Sequence, residues 1–377
     1  MKVHSWIFFL LLSITYFSCD QIQNATDVVT KPDARDLYKR QFEKRDSSLL
    51  RWKKAYEYAK KDSLLITLPY SESGIFSNSI PTTYSYDVRL REDEQIVISI
   101  ETEIDTALVF ISLFQKTRNR GIPLKLLKIS KEADSKLAHQ VKNYAYYKII
   151  VQPEISLNSP FTLKIYTAPV YSFPISGGEN KDIRGFWADP RDAGARSHDG
   201  VDIFAPKGTP LVAATKGVIS SSGDHGLGGK QVWLKDGVYG KTLYYAHLDS
   251  IFVAQGDRVK QGDTIGLVGN TGNAITTEPH LHFGIYEGKR KAVNPLPYIK
   301  KAAPEPIKTP NTISKGFITT NRANLRKGPA EVFPVYGSLK KNDTVIILGR
   351  HRDWFHIQFS DSLKGFIEPK FLSELPN

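Results

Sequence analysis

The sequence is short of several things, and each shortage excludes something. It has one cysteine, Cys19, in 377 residues, so no intramolecular disulfide can form. No His-Glu-x-x-His run occurs, which removes the metal-dependent hydrolases that take their general base from that glutamate. The most apolar stretch, "WIFFLLLSI" at 6–14, is too short for a comfortable membrane span. Negative charge is also in deficit: 39 Asp and Glu against 51 Lys and Arg leave a formal charge of +12, a field that favours polyanions such as nucleic acid, anionic headgroups or acidic wall polymers. Apolar residues are not scarce. At 41%, with 11% aromatics, they exclude wholesale disorder, and the length leaves room for two to four domains.

The first residues narrow the partner. Lys2, the apolar run and then Ser18-Cys19 have the layout of a secretory signal over residues 1–19. A lone cysteine directly after an apolar region and a small residue resembles a bacterial lipobox. That resemblance implies a lipidated Cys19, an exported chain in the cell envelope and a membrane partner reached through the anchor; the alternative is an ordinary signal peptide with Cys19 incidental. Export argues against nucleic acid as the polyanion.

Residues 20–62 read as a polar tether followed by a basic helical segment. Tyr38, Phe42, Leu49, Trp52, Tyr56 and Ala59 recur at intervals of three, four and seven, the spacing of one helix face. Lys39, Arg40, Lys44, Arg45, Lys53 and Lys54 cover the rest, either as a membrane-hugging surface or as a solvated face on a helix packed against the next domain. From 63 to 172 the texture is β. Tyr84, Tyr86, Val88 and Leu90 alternate with polar residues, as do Ile96, Ile98 and Ile100, and "ALVFISLF", "YAYYKIIVQ" and "FTLKIY" follow between polar turns. Short strands at regular spacing predict an accessory β-sandwich. Residues 173–300 are glycine-rich and hold five of the nine histidines; a Pro-containing linker spans 301–313, and short strands return over 314–377. The fold class expected is therefore mainly β and multi-domain.

The chemistry concentrates in two stretches. In "EPHLHFGIY", His280 and His282 alternate with Leu281 and Phe283, so a strand turns both imidazoles to one face, where they need hydrogen bonds, a metal ion or a substrate as partners. In "RSHDGVDIFAPKGTPLVAA", His198 and Asp202 are four apart, one face of a strand, which Gly200, Val201, Ile203 and the following "PKGTP" turn favour over a helix. Imidazole and carboxylate both ligate zinc, and a third ligand from the His280/His282 pair would leave one position open for water.

With "YYAHL" between them, these blocks resemble the lysostaphin/LytM-type zinc endopeptidases of peptidoglycan. The resemblance covers about residues 174–298 and includes "HDGVDIFAPKGTP", "AATKGVI", "LYYAHLDSI", "GDRVKQGDTIGLVGNTG", "EPHLHFGI" and "VNPLPYI". It implies an antiparallel β-sheet peptidase domain, zinc as cofactor, His198, Asp202 and His282 as metal ligands, and His247 and His280 as catalytic histidines. It also implies peptidoglycan stem peptides as the substrate partner. Zinc would activate a water and polarise the scissile carbonyl, and an imidazole would carry the proton. Which histidine is base and which steadies the oxyanion stays open. Two departures stand out. Glu278 occupies a position where glycine is common, on a loop bordering the groove, and no tyrosine lies shortly upstream of His198, the nearest aromatic there being Trp187.

Other residues carry weaker expectations. Gly266, Gly269 and Gly272 suit tight turns at a groove edge or ordinary β-turns. Arg196 faces either an anionic stem-peptide carboxylate or solvent, His225 lies in a loop that can border the cleft, and His139, His351 and His356 read as surface or packing residues. At the C-terminus, Asn324, Leu325, Arg326, Gly328 and Pro329, with Trp354, resemble the bacterial Src-homology-3-like domains that accompany wall hydrolases, which implies a small β-barrel and wall-peptide targeting. Phe366 stands where tryptophan is usual, and the alternative role is a small packing module that caps the enzyme. The activity expected is zinc-dependent cleavage of peptidoglycan cross-links; a noncatalytic wall-binding scaffold or amidase activator, and a peptidase of secreted proteins, are the alternatives.

Overall fold

The computed structural model describes residues 32–375 except 80–81, 93, 118–122, 132–134, 289–290, 302–314 and 362. The signal-peptide and lipobox readings at residues 1–19, and nearly all of the 301–313 linker, lie outside the described residues. Among the described residues no helix is long and apolar enough to cross a membrane.

Two helices open the described chain, α1 (Ala34–Lys39) and α2 (Ser47–Lys61). Asp46 caps α2, its carboxylate accepting from the backbone N–H of Ser48 at 2.7 Å and Leu49 at 2.9 Å, and Lys60 and Lys61 stand at the carbonyl end, where the helix dipole favours cations. Leu49, Trp52, Tyr56 and Ala59 are buried, as the periodicity predicts. The Trp52 indole donates to Pro153 O at 2.7 Å and the Tyr56 hydroxyl to Ser112 Oγ at 3.0 Å. The basic helix therefore lies on the sandwich through its apolar face.

The sandwich is built from β1 (Tyr70–Phe76), β2 (Tyr84–Leu90), β3 (Gln95–Thr102), β4 (Val109–Lys116), β5 (Leu124–Ile129), β6 (Lys136–Gln140), β7 (Ala145–Pro153) and β8 (Ser159–Ala168). One sheet runs β2-β7-β4-β5, with a short parallel strand, Leu65–Ile66, at its β2 edge; the other runs β1-β8-β3-β6. Alternate residues such as Ile98, Ile111, Ile149, Leu163 and Ile165 meet between the sheets and are fully buried.

The peptidase-like region folds around an antiparallel sheet: β9 (Ile183–Gly185), β10 (Val201–Phe204), β11 (Gly217–Asp224), β12 (Lys230–Asp236), β13 (Lys241–Ala246) and β14 (His280–Glu287), in the order β9-β10-β14-β13-β12-β11. Val201, Ile203, Leu243, Tyr245, Leu281, Phe283 and Ile285 form one face, all fully buried, and a three-stranded sheet supplies Leu211, Leu248 and Val268 to the same core. The period of two then turns Asp202, Phe204, Ala246, His280 and His282 to the opposite face.

The C-terminal strands include β15 (Thr344–His351), β16 (Trp354–Ser360) and β17 (Leu363–Ile367) around a core of Ile318, Leu325, Val345, Ile357 and Ile367. This module packs on the sandwich rather than capping the peptidase-like region. Strand β15 joins the edge of β1 at Ser73↔Arg350, the Tyr84 hydroxyl donates to Leu348 O at 3.0 Å, and Lys364 Nζ donates to Thr83 O at 2.6 Å. His351 and His356 are packing residues of this junction. His351 Nδ1 donates to Ser71 O at 2.6 Å, and His356 Nδ1 lies 2.9 Å from Glu72 Oε1, with both side chains of that pair fully buried. Phe366 stacks on His356 with ring centroids 4.9 Å apart and has no exposure, so it builds junction and not an outward binding surface.

Candidate metal centre and active cleft

The strand register sets the centre. On β10 and β14, Asp202 lies opposite His282 and Phe204 opposite His280, while Ala246 of β13 flanks His282 on its other side. A methyl at Ala246 leaves the imidazole free to turn toward Asp202. His198 arrives differently from the sequence expectation. Strand β10 begins only at Val201, so His198 sits in the preceding loop and not on the same strand face as Asp202. The loop folds back because Gly200 allows it: a Cβ there would stand 2.6 Å from Phe283 O and 2.7 Å from His282 Cε1. His198 is then pinned through its backbone, its N–H donating to Asp189 O at 3.0 Å and its carbonyl accepting from Ala188 N at 3.0 Å.

Three ligand atoms converge. His198 Nε2 lies 3.0 Å from His282 Nδ1 and 3.0 Å from Asp202 Oδ1, and His282 Nδ1 lies 3.1 Å from Asp202 Oδ1. A tetrahedral zinc with bonds of about 2.0–2.1 Å spaces neighbouring ligand atoms by roughly 3.3 Å, close to these edges. The donor chemistry agrees. His198 Nδ1 donates to Phe186 O at 2.7 Å, which leaves a lone pair on Nε2 aimed into the triangle. The remaining oxygen of Asp202, Oδ2, accepts from Arg191 Nη2 at 2.5 Å, so a single carboxylate oxygen faces the other ligands. Burial alone would raise the Asp202 pKa, but hydrogen bonds and charge from His198 and His282 outweigh it and hold the carboxyl well below the usual range. Among the described residues, these three form the one His/Cys/Asp/Glu group close enough to hold a metal ion. The set fits zinc.

His247 and His280 flank this triangle, their ring centroids 5.1 Å apart, with His247 6.0 Å from His282. Both are oriented alike. His247 Nδ1 donates to Thr271 O at 2.9 Å and His280 Nδ1 to Glu278 O at 2.8 Å, which leaves each Nε2 as the basic atom. His247 takes a left-handed backbone, φ +68°, immediately after β13, and its N–H donates to Gly228 O at 2.8 Å. Burial first, then the neighbouring His280 and His282, push its pKa down to about 4, so it is neutral and able to accept a proton at neutral pH.

The cleft of about 350 Å³ is lined by all five of these residues, together with Arg191, Arg196, Leu227, Asn273, Tyr244 and Tyr286 among others. Arg196 borders it, whereas His225 is not in the lining and its neighbours Leu227 and Gly228 are. Its two loop walls meet through backbone: Gly272, at φ +71°, would place a Cβ 2.4 Å from Leu227 O. Gly266 and Gly269 lie against the backbone of residues 248–250. Residues that sequence reasoning missed are Arg191, Thr271, and the aromatic floor beyond His282. In that floor Tyr244 sits 4.2 Å from Trp233 and 5.8 Å from His282 by ring centroids. The Tyr244 hydroxyl donates to Gln231 Oε1 at 2.5 Å.

Glu278 has a defined partner. Its carboxylate takes Arg184 Nη2 at 2.6 Å, the Arg184 guanidinium lies 3.7 Å over the Phe204 ring, and Phe204 stacks on His280 at 5.0 Å. With the His280 Nδ1–Glu278 O bond, these contacts close a ring around the imidazole.

Two stretches of the chain are similar to known families. Residues 196–295 match the model of peptidase family M23, and residues 321–373 that of the bacterial SH3 domain. The glycyl-glycine endopeptidase ALE-1 of Staphylococcus capitis is 34% identical over 156 residues, 40% of this chain and 42% of the relative. The L-Ala–D-Glu endopeptidase of Bacillus subtilis is 30% identical over 141 residues, 34% of this chain and 43% of the relative. Lysostaphin of Staphylococcus simulans is 33% identical over 190 residues, 43% of this chain and 37% of the relative. The chain spans less than half the length of these curated relatives. The solved catalytic domain of lysostaphin is 35% identical, covering 30% of this chain and 88% of that one, with a TM-score of 0.28. Zinc is the metal of family M23, in keeping with the His198, Asp202 and His282 group. The chain thus carries a peptidase family M23 domain, residues 196–295, followed by a bacterial SH3 domain, residues 321–373.

Proposed function

We propose that this protein is a zinc-dependent endopeptidase that hydrolyses peptide cross-links of peptidoglycan. The observation that carries the reading is the juxtaposition of a three-atom metal triangle with two imidazoles, each held by Nδ1 and each offering a free Nε2. His198, Asp202 and His282 hold the metal, and His247 and His280 are the catalytic histidines. A bound zinc supplies Lewis-acid activation of a water and of the scissile carbonyl. The chain supplies the rest. A neutral imidazole takes the proton of the attacking water and returns it to the leaving amine, work for which the free Nε2 atoms of His247 and His280 are suited. The second imidazole and the cleft walls orient the substrate amide. Arg191 takes up Asp202 Oδ2 and so leaves a single oxygen toward the metal.

The supporting relatives are named as endopeptidases of glycyl-glycine and L-Ala–D-Glu bonds, and the domain families found here suit a wall substrate. The reading extends to stem peptides as substrate, to export by a signal over residues 1–19, and to a lipid anchor at Cys19 that tethers the chain to a membrane of the envelope. Its domain plan is a tether and basic helical segment to 62, a sandwich over 63–172, the peptidase over 173–300, a linker over 301–313 and the SH3-like module over 314–377.

The test is digestion of purified wall sacculi by the full chain with zinc and after chelation, fragments being resolved by mass. Cross-linked dimers should become monomers only with zinc. Intact sacculi carrying tightly bound protein would replace the enzyme with a scaffold. His198→Ala should lose the metal, whereas His280→Ala should keep it while turnover falls by about 10²–10⁴. Metal loss in both would overturn the division of roles.

A further inference from the structure

The basic helix has a second working face. Arg51, Lys54, Ala55 and Tyr58 follow one another at helical spacing and line a cavity of about 320 Å³ where α2, the sandwich and the SH3 domain meet. Ser79 and Thr83 close it from the sandwich, and Gln358, Asp361 and Lys364 from the SH3 domain, Gln358 and Lys364 being cross-strand partners on β16 and β17. That size lies at the lower end of small-ligand pockets.

The charges around it do not balance. Lys364 is buried, with 5% of its side chain exposed, and its nearest carboxylate oxygen, Asp62 Oδ2, is 3.5 Å away. Behind it Lys148, 1% exposed, lies 2.8 Å from Asp87 and donates to Asp62 O at 2.5 Å, while Lys116 also takes Asp87 at 2.6 Å. Lys148 and Lys364 are thus matched by two carboxylates, Asp87 and Asp62, and Lys116 is 37% exposed; the imbalance lies in the cavity lining, where Arg51, Lys54 and Lys364 stand against Asp361. At the mouth, Asp361 is the one carboxylate among the described lining residues to face Arg51 and Lys54, and the Lys54–Asp361 separation is 3.7 Å. Burial pushes both Lys148 and Lys364 down from their ordinary pKa. Three cations against one carboxylate in the lining favour an anion sharing the space. Hydroxyls of Tyr58, Ser79 and Thr83 and the Gln358 amide line the same cavity and can donate to such an anion.

We propose that this junction cavity is a binding site for a carboxylate, such as the free C-terminus of a short peptide, read jointly by the helix, the sandwich and the SH3 domain. The carboxylate sits toward Lys364, Arg51 and Lys54. Asp361 at the rim opposes a dianion such as phosphate, and it can accept an N–H from the rest of a peptide. The site is separate from the metal cleft and stands whether or not that cleft hydrolyses wall peptides.

Isothermal titration of the full chain at low salt tests it, with N-acetyl-L-alanyl-D-alanine, the same dipeptide as its C-terminal amide, and inorganic phosphate as probes. The acid should bind at least tenfold more tightly than the amide. Arg51→Ala/Lys54→Ala, two changes at exposed positions, should weaken the acid at least tenfold while leaving metal content unchanged. Lys364→Met should do the same; because it alters a buried group, its melting temperature is followed with and without the acid, which should stabilise the parent alone. Equal binding of acid and amide, or unchanged affinity in the double variant, overturns the site. Phosphate binding more tightly than the acid, and lost in the double variant, overturns the carboxylate.

Discussion

Gly200→Ala is a single methyl placed against the metal triangle, and the structure gives its cost. The added Cβ would stand 2.7 Å from His282 Cε1, 2.8 Å from His282 Nε2 and 2.6 Å from Phe283 O. Ordinary carbon contacts begin near 3.5 Å, so the imidazole or the strand behind it must retreat by roughly 0.7 Å. A metal site tolerates ligand displacements of only about 0.2 Å, and His282 Nδ1 is one of its three corners. Overpacking a core of this kind costs about 1–3 kcal/mol, which a folded domain survives. The expected result is a folded protein with damaged metal binding: affinity for zinc lower by at least the 10–100-fold that loss of a ligand's supporting partner produces. The assay is competition with a coloured zinc chelator, alongside circular dichroism to confirm the fold. Gly237→Ala is the control, since its Cβ would meet only Lys216 O, at 3.7 Å. A folded Gly200→Ala protein with parental zinc affinity would refute the argument that close approach at this glycine sets the His282 ligand geometry.

Arg184→Ala and Glu278→Gln should each lower kcat by about two- to fivefold with zinc content unchanged, because they loosen the ring of contacts around His280; the pair is exposed, so a contribution near 1 kcal/mol is the ceiling. Unchanged kcat in both would confine the pair to surface stabilisation. Glu72 governs acid stability at the domain junction. Burial raises its pKa, but the charge and hydrogen bond of His356 and the hydroxyls of Tyr70 and Tyr86 bring it below the ordinary value. Its stabilisation is therefore present above the unfolded glutamate range, near 4.3, and is lost as pH falls through the lower folded value. The gap in melting temperature between the parent and Glu72→Gln should shrink as pH falls below about 5; a gap independent of pH would refute an ionised Glu72.

How much of this was legible follows from which part of each residue does the work. The His280/His282 alternation could be read because a strand has a period of two and both side chains carry the chemistry. The apolar face of α2 was equally plain, since its burial is set by side chains a helical turn apart. His198 was placed on the strand with Asp202 because spacing cannot distinguish a strand from a loop that folds back, and only the Gly200 contact with His282 decides it. The docking of the SH3 domain on the sandwich was out of reach for another reason. Glu72 and His356 are 284 residues apart, and neither has a local partner to announce the pair. Arg191, which holds Asp202 Oδ2, left only a faint signal, a cation shortly before His198, and Arg196 offers the same signal.

The deepest gap concerns orientation. Three histidines of the site are aimed by backbone carbonyls, those of Phe186, Thr271 and Glu278. A carbonyl is the same in every residue, so the identity of these three positions says nothing of their task. Glu278 shows the consequence. It drew notice as an unusual residue at the groove edge, but the group that holds His280 is its main-chain oxygen, and the side chain acts by fixing that oxygen through Arg184. Substitutions that keep the loop backbone in place should therefore preserve the orientation of the His280 imidazole, and those that move it should not, whatever their side-chain chemistry.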